Sequence, residues 1–480
     1  MATDLRALWG ERAYAYETEP LAESASAPAW YQAEQAAPID AGAGLSLRDA
    51  GLLGPGGLPD AAPDYEYVPL IVTGPSENRI DIWFVGDGYT ADDRDLLLAD
   101  AQAQMDYLFG DALADPFGRY AEFFNVHVVV APSAERGADR PEDGVFVDTA
   151  FDASYSWNGG VTRCLYLDTG LAEAAVEAVR PEGVDVDMRL GVVNSDIYGG
   201  CGGSWAVYAG GAQDTGDLAL HELGHSFGLL ADEYWTAGEA HGGGEPGAVN
   251  VTTDPTGAKW AHWLGFDDGV LGPIGAYEGG YYVETGIYRP TENSKMRALG
   301  QPFDAIAKEA FILRFYDEVD PIDAYAFEDV RNVAGGGLID EYAFWIDTIS
   351  EGVIDQVWML DGTVIEGAGD TALSLGTLGL APGTYTLEAR AFDDTEMVRL
   401  ETGTLEETVT WEVTLNYWAF DGTGGDEAIS GQDRNDRLDG LGGDDVIAGL
   451  GGDDWLIGGA GADVIEGGDG ADLIFGDGVV

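Results

Sequence analysis

In the stretch LALHELGHSFGLLADEYW, Leu218 to Trp235, two histidines stand four residues apart and a glutamate follows the first. On a helix, residues four apart share a face, so the imidazoles of His221 and His225 can take adjacent corners of a Zn²⁺ tetrahedron. Glu222 then flanks the open corner, where a carboxylate can accept a proton from bound water. The pattern alone is only moderately specific. The chain, however, has only 5 His, and two of them fall on it. His127, His241 and His262 have no such pattern around them and read as structurally partnered residues.

Such a centre needs a third protein ligand. An unbroken helix from His225 would carry Asp232 about 10 Å further along the axis, too far to share the ion. The chain must therefore turn, and Gly228 can adopt the left-handed conformation that ends a helix. With the turn there, Asp232 is the expected third ligand and Glu233 the reserve. Glu239, Glu245 or His241 would require a different second segment. A shorter loop would put the ligand at Ala231, which has no donor atom.

The ligand helix must itself be held. Asp214 or Thr215 can cap it, and Leu220, Leu223, Phe227 and Leu230 fall on the face opposite the histidines. Upstream, apolar runs at 80–85, 124–130 and 190–193 alternate with helical patterns such as ADDRDLLLADAQAQMDYLFG. This alternation predicts an α/β domain over 66–321, closed by the helical KEAFILRFYDEVDP. Residues 1–65, rich in Ala, Pro and Gly, read as an arm or pro-segment. Over 322–418, DEYAFWIDTI, DQVWMLDGTVI, GTYTLEARAFDD and ETVTWEVTL are short strands between turn residues, which predicts an all-β, immunoglobulin-like sandwich.

Residues 419–480 hold a nine-residue repeat. Its sixth position is Glu427, Asp436, Asp445, Asp454, Asp463 and Asp472, and its eighth is Ile429, Leu438, Ile447, Leu456, Ile465 and Ile474. Such a period predicts a parallel β-roll, in which turn carbonyls and aspartates bind Ca²⁺ and the eighth residues stack into a thin core. Without the ion the facing carboxylates repel one another and the segment is expected to be largely unfolded.

The 480 residues include 22 Lys+Arg against 87 Asp+Glu, a formal charge of −65, which disfavours nucleic acid and anionic membranes as partners. No apolar run reaches the length of a membrane-spanning helix. The first twenty residues carry acids where a secretory leader would be basic and then apolar, so any export is expected to use another signal. Cys164 and Cys201 belong to no CxxC unit; a disulfide and two buried thiols both remain open.

HELGHSFGLLADEYW, with NRIDIWFVGDGYT, FNVHVVVAPSAERGAD, VNSDIYGGCGGSWAVYAG, YRPTENSKMRAL and FDAIAKEAFILRFYDEVDP, resembles the immunoglobulin A peptidase family of zinc metallo-endopeptidases, a metzincin-like group. The resemblance runs from about Asn78 to Pro321. It implies a zinc endopeptidase with His221 and His225 as ligands, Glu222 as acid/base, and Met296 as the methionine of the turn beneath the metal. Ala298 stands where some relatives carry a tyrosine, so oxyanion stabilisation would fall to Tyr234, Tyr281, Tyr282, Tyr288 or the zinc. Tyr198 to Gly210 could be a rim strand for an extended substrate or a plain turn-rich loop. The repeat resembles the RTX family, which implies calcium binding and one-step type I secretion to the outside of a bacterial cell. The leading expectation is thus a secreted endopeptidase with a protein or peptide substrate and Zn²⁺ and Ca²⁺ as cofactors. Alternatives are an extracellular adhesin or carbohydrate-binding protein with a vestigial zinc domain, and a hydrolase of nonprotein amides.

Overall fold

The computed structural model describes residues 65–157, 162–328, 343–368, 372–378, 380, 383–400, 402–415 and 418–477. The expected arm or pro-segment therefore lies outside the described residues, apart from Tyr65. Contacts divide the chain into two compact units: one runs to Val319 and includes Thr395–Thr404, and the other comprises Asp320–Asp394 and Leu405–Val480.

In the first unit, strands β1 (Glu66–Ile71), β2 (Ile80–Asp87), β3 (Phe124–Val130), β4 (Met188–Val193), β5 (Gly200–Cys201) and β6 (Ala206–Ala209) form one sheet in the order β1-β3-β2-β4-β6-β5. The inner strands β3, β2, β4 and β6 run parallel, and β1 and β5 are antiparallel edges. Every residue of β2 and β3 is buried, as a sheet covered on both faces requires.

Four helices accompany the sheet among the described residues: α1 (Arg94–Gly110), α2 (Thr169–Val179), α3 (Thr215–Ser226) and α4 (Ala305–Glu318). The Asp168 and Asp304 carboxylates cap α2 and α4 by accepting from the Leu171 and Ala307 amides. Phe311 and Phe315 of α4 meet Phe117, Phe124, Phe227 and Phe303 at ring-centroid separations of 4.9–6.5 Å. Because Phe227 directly follows α3, this aromatic cluster fixes where α3 ends. A small sheet, β7 (Trp235–Ala240), β9 (Tyr282–Arg289) and β8 (Tyr277–Gly280) in that order, carries the chain beyond it.

Cys164 and Cys201 form a disulfide, Cα atoms 5.1 Å apart, that ties the edge strand β5 to the segment leading into α2. His127 lies buried between the Tyr67 hydroxyl and the Asp81 carboxylate, His262 meets Glu309, and His241 meets the Gly244 carbonyl. Also within this unit, Arg399 lies 3.9 Å above the Trp263 ring, and its backbone amide donates to Glu309. Residues 395–404, placed in the β-sandwich by their sequence position, thus pack with the first unit, through a cation–π contact that no local pattern announces.

In the second unit, β10 (Ile322–Glu328), β11 (Ala343–Thr348) and β14 (Ala372–Ser374) form one antiparallel sheet. Strands β12 (Asp355–Leu360), β13 (Thr363–Val364), β15 (Gly383–Phe392) and β16 (Glu406–Leu415) form the other. Phe344 from the first and Trp358 from the second both meet the Trp411 ring, at 5.2 and 5.9 Å.

The repeats fold into two parallel sheets. One holds β17 (Trp418–Asp421), β19 (Asp436–Asp439), β21 (Trp455–Gly459) and β23 (Leu473–Asp477); the other holds β18 (Ala428–Ser430), β20 (Val446–Gly451) and β22 (Val464–Asp469). Pairing advances by two repeats, as in Val446 opposite Val464. Ile429, Leu438, Ile447 and Leu456 form the buried core, with Ile465 partly covered. Ile474, expected in the same stack, is 46% exposed, because among the described residues no later turn covers it. No described helix is long and apolar enough to cross a membrane.

Candidate metal centre

Helix α3 starts at Thr215 after a left-handed Asp214, whose side chain makes no capping bond. The Thr215 hydroxyl donates instead to the carbonyls of Ala209 and Ala212, tying the helix start to β6. From Asp217 through Gly224 the helix is buried on all sides rather than amphipathic. Asp217 forms an ion pair with the fully buried Lys295 and accepts from the Tyr107 hydroxyl at 3.0 Å.

The turn after α3 departs from expectation. Leu229, with φ 52°, is the left-handed residue, and Gly228 is not. Gly228 is needed for a different reason: a Cβ there would stand 2.9 Å from the Gly224 carbonyl oxygen and 3.0 Å from the Phe311 ring. The Gly228 amide donates to Leu223 O and the Leu230 amide to Gly224 O, which folds 228–232 back beneath the helix.

The fold-back brings His221, His225 and Asp232 together. His221 Nε2 and His225 Nε2 are 3.2 Å apart, and each lies 3.2 Å from Asp232 Oδ1. A tetrahedron with bonds of about 2.0–2.1 Å has corners about 3.3–3.4 Å apart, so these atoms stand where three zinc ligands would. Protonation states agree. His221 Nδ1 faces the Lys295 carbonyl at 3.1 Å and His225 Nδ1 faces the Leu230 carbonyl at 2.8 Å. A carbonyl only accepts, so both imidazoles carry hydrogen on Nδ1 and, when neutral, present bare Nε2 lone pairs. Asp232 Oδ1 is buried without a hydrogen bond, and its other oxygen accepts from the Tyr282 hydroxyl. Three converging acceptors, two of them buried and that of His225 partly exposed, call for a cation, and the donor set suits zinc.

Burial opposes ionisation of Asp232, but in the metal-free protein the charge of the imidazoles, when protonated, outweighs it and holds the carboxyl well below the usual range. Glu222 behaves oppositely: burial pushes its carboxyl up, against the pull of His221 and His225. Glu233, the reserve ligand, points elsewhere. It accepts from Ser294 Oγ at 2.6 Å and Asn250 Nδ2 at 3.0 Å. Burial and then the Asp304 charge push its carboxyl up, and both its oxygens are already engaged by Ser294 and Asn250. Glu239, Glu245 and His241 lie outside the cluster.

Met296 is fully buried, and its carbonyl accepts from the Glu233 amide. A Cβ on Gly224 would come within 2.5 Å of its sulfur, so the methionine lies against α3 between the two histidine positions. Of the tyrosines considered, Tyr282 is committed to Asp232 and Tyr234 packs edge-on against it at 5.3 Å. Within Tyr198–Gly210, β5 forms the sheet edge and Gly202 passes so close to the Glu222 carboxylate that a Cβ would clash with it. The second tier of residues, namely Tyr282, Asn250 and the carbonyls of Lys295 and Leu230, carries no sequence motif.

In the roll, the Asp445, Asp454, Asp463 and Asp472 carboxylates each accept, through Oδ1, from an amide eighteen residues earlier, at 2.8–3.1 Å. Oδ2 of Asp445, Asp454 and Asp463 is buried without a partner. Around Gly431, Gly440, Gly449 and Gly458 the space a Cβ would take is bounded by an aspartate Oδ2, from Asp436, Asp445, Asp454 or Asp463, and a carbonyl of a later turn. Oxygens gathered with no hydrogen between them fit a hard cation such as Ca²⁺.

Residues 68–274 match the family model described as IgA Peptidase M64. The match contains His221, Glu222, His225 and Asp232 and ends before Met296. Residues 421–456 and 449–478 match the RTX calcium-binding nonapeptide repeat. No curated protein matches the chain. The chain therefore combines similarity to a peptidase family with calcium-binding repeats of parallel β-structure.

Proposed function

We propose that the chain is a secreted, zinc-dependent endopeptidase of metzincin-like fold that hydrolyses peptide bonds of extracellular proteins. The observation that carries this reading is the largely buried acceptor triangle of His221, His225 and Asp232 beside Glu222, within a span similar to a peptidase family. When bound, zinc supplies a water of lowered pKa and polarises the scissile carbonyl.

The remaining work falls to the chain's own residues. Glu222 takes the proton of the attacking water and passes it to the leaving amine. Its buried setting makes it a stronger base than an exposed glutamate. The Lys295 and Leu230 carbonyls keep both imidazoles in the ligating tautomer, and Tyr282 occupies one Asp232 oxygen so that the other faces the ion. With no side chain, Gly202 lets the backbone after β5 lie against the Glu222 carboxylate, which places the sheet edge beside the proton acceptor. Met296 serves as the methionine beneath the metal.

The proposed division is a peptidase domain at 66–321, an immunoglobulin-like sandwich at 322–418 and a β-roll at 419–480, with Asp436, Asp445, Asp454, Asp463 and Asp472 as calcium ligands. The repeats are the reason to propose export by a bacterial type I system.

Calcium-loaded protein is expected to digest casein, to stop when zinc is stripped by a chelator that spares calcium, and to resume when zinc is restored. Digestion that survives complete zinc removal would refute the reading.

A further inference from the structure

The segment that delivers Asp232, residues 229–234, has neither helix nor strand, so its backbone polar groups need other partners. Gly224, Met296, Tyr281 and Tyr282 bond those of Leu230, Glu233, Asp232 and Tyr234, and Asn250 supplies both partners of Ala231. Its Oδ1 accepts from the Ala231 amide at 2.8 Å, and its Nδ2 donates to the Ala231 carbonyl at 2.7 Å and to Glu233 Oε1 at 3.0 Å. The side chain is fully buried and grips both neighbours of Asp232. Only a side-chain amide offers a donor and an acceptor side by side, pairing with a peptide as a strand would.

Asn250 lies in a loop without regular structure, and the loop is organised from inside. The carbonyls of Pro246, Ala248 and Val251 converge on Lys259 Nζ at 2.8, 2.9 and 2.7 Å, and the Glu245 carboxylate balances the charge at 2.7 Å. Convergent carbonyls with one carboxylate are what a calcium loop offers its ion; here a tethered ammonium fills the place. An ammonium spreads its three N–H groups tetrahedrally among these four oxygens, whereas a planar guanidinium directs its hydrogens in one plane and fits the convergent set poorly. Lysine is scarce in this chain, at positions 259, 295 and 308 only, and this one has a task arginine cannot take over. Ala248 and Val251 also pack against Ala231, which couples the loop to the ligand segment a second time.

We propose that Asn250, held by the Lys259 carbonyl cage, is a positioning residue for Asp232, setting the geometry and affinity of the metal centre. The proposal rests on the reading of Asp232 as a metal ligand.

The test compares the calcium-loaded full chain with Asn250→Ala, Lys259→Met, Lys259→Arg and the Asn250→Ala/Lys259→Met double variant. Zinc affinity is read by chelator competition, ligand geometry by the visible spectrum after cobalt replacement, and folding by thermal melting. Zinc affinity is expected to fall about 10–100-fold in folded Asn250→Ala and Lys259→Met, with an altered cobalt spectrum. Lys259→Arg should not restore the parent values, and the double variant should lose little more than either single one, since both act along one path. Parent-like affinity and spectrum in folded Asn250→Ala, or fully additive losses, would overturn the proposal while leaving the zinc reading intact. Should Asn250→Ala not fold, Lys259→Met decides alone by the same criterion. A parent that takes up no zinc would refute the ligand reading itself, and the proposal with it.

Discussion

Glu222→Gln is expected to lower casein turnover on the order of 10³-fold or more while leaving the fold and bound zinc unchanged. The Glu222 carboxylate borders the ligand cluster without belonging to it, so its loss removes the proton acceptor and spares the three metal donors. The stability effect has a definite sign. Burial raises the Glu222 carboxyl above its ordinary value in the metal-free protein. A carboxyl raised in the folded state binds protons more readily there than in the unfolded chain. Stability is therefore lost as pH climbs from the unfolded value past the folded one. Glutamine does not titrate, so metal-free Glu222→Gln should melt no lower than the parent at pH 8. Near-parent turnover in a zinc-loaded variant would remove Glu222 from the mechanism.

Calcium removal is expected to have the largest structural effect. In the roll, aspartates face turn carbonyls with oxygens that no hydrogen bond satisfies. Four buried aliphatic residues, Ile429, Leu438, Ile447 and Leu456, form most of its core. Chelation leaves like charges facing one another, while so thin a core does little to offset the ordering of 419–477. Hydrogen exchange should show β18 to β23 losing most of their protection in calcium-free buffer, and re-addition should restore it. Full protection in a calcium-free chain would show that the roll stands without its ion.

Much of this architecture is legible in residue order because it rests on period and local spacing. The strands at 80–85 and 124–130 are largely apolar runs, interrupted only by Asp81, Asn125 and His127, the nonapeptide keeps its phase, and the histidine pair lies on one helix turn. What is hidden depends on chain returning from a distance. Gly228 is an obvious turn residue, yet the left-handed position falls on Leu229, and the glycine is required instead because Phe311 and Gly224 leave no room for a side chain at 228. That Glu233 is turned from the metal follows from Ser294 and Asn250, which no spacing rule connects to it. The pairing of Cys164 with Cys201 follows from β5 lying at the sheet edge, and the placement of 395–404 from one arginine on one tryptophan.

The central claim is that His221, His225 and Asp232 hold one zinc ion. It is tested most directly by measuring zinc per chain in the calcium-loaded protein with Asp232→Ala beside it. We expect about one zinc in the parent and a marked loss in a variant that still folds. Full retention of zinc by Asp232→Ala, or a well-folded parent that cannot be loaded with zinc, would contradict the account.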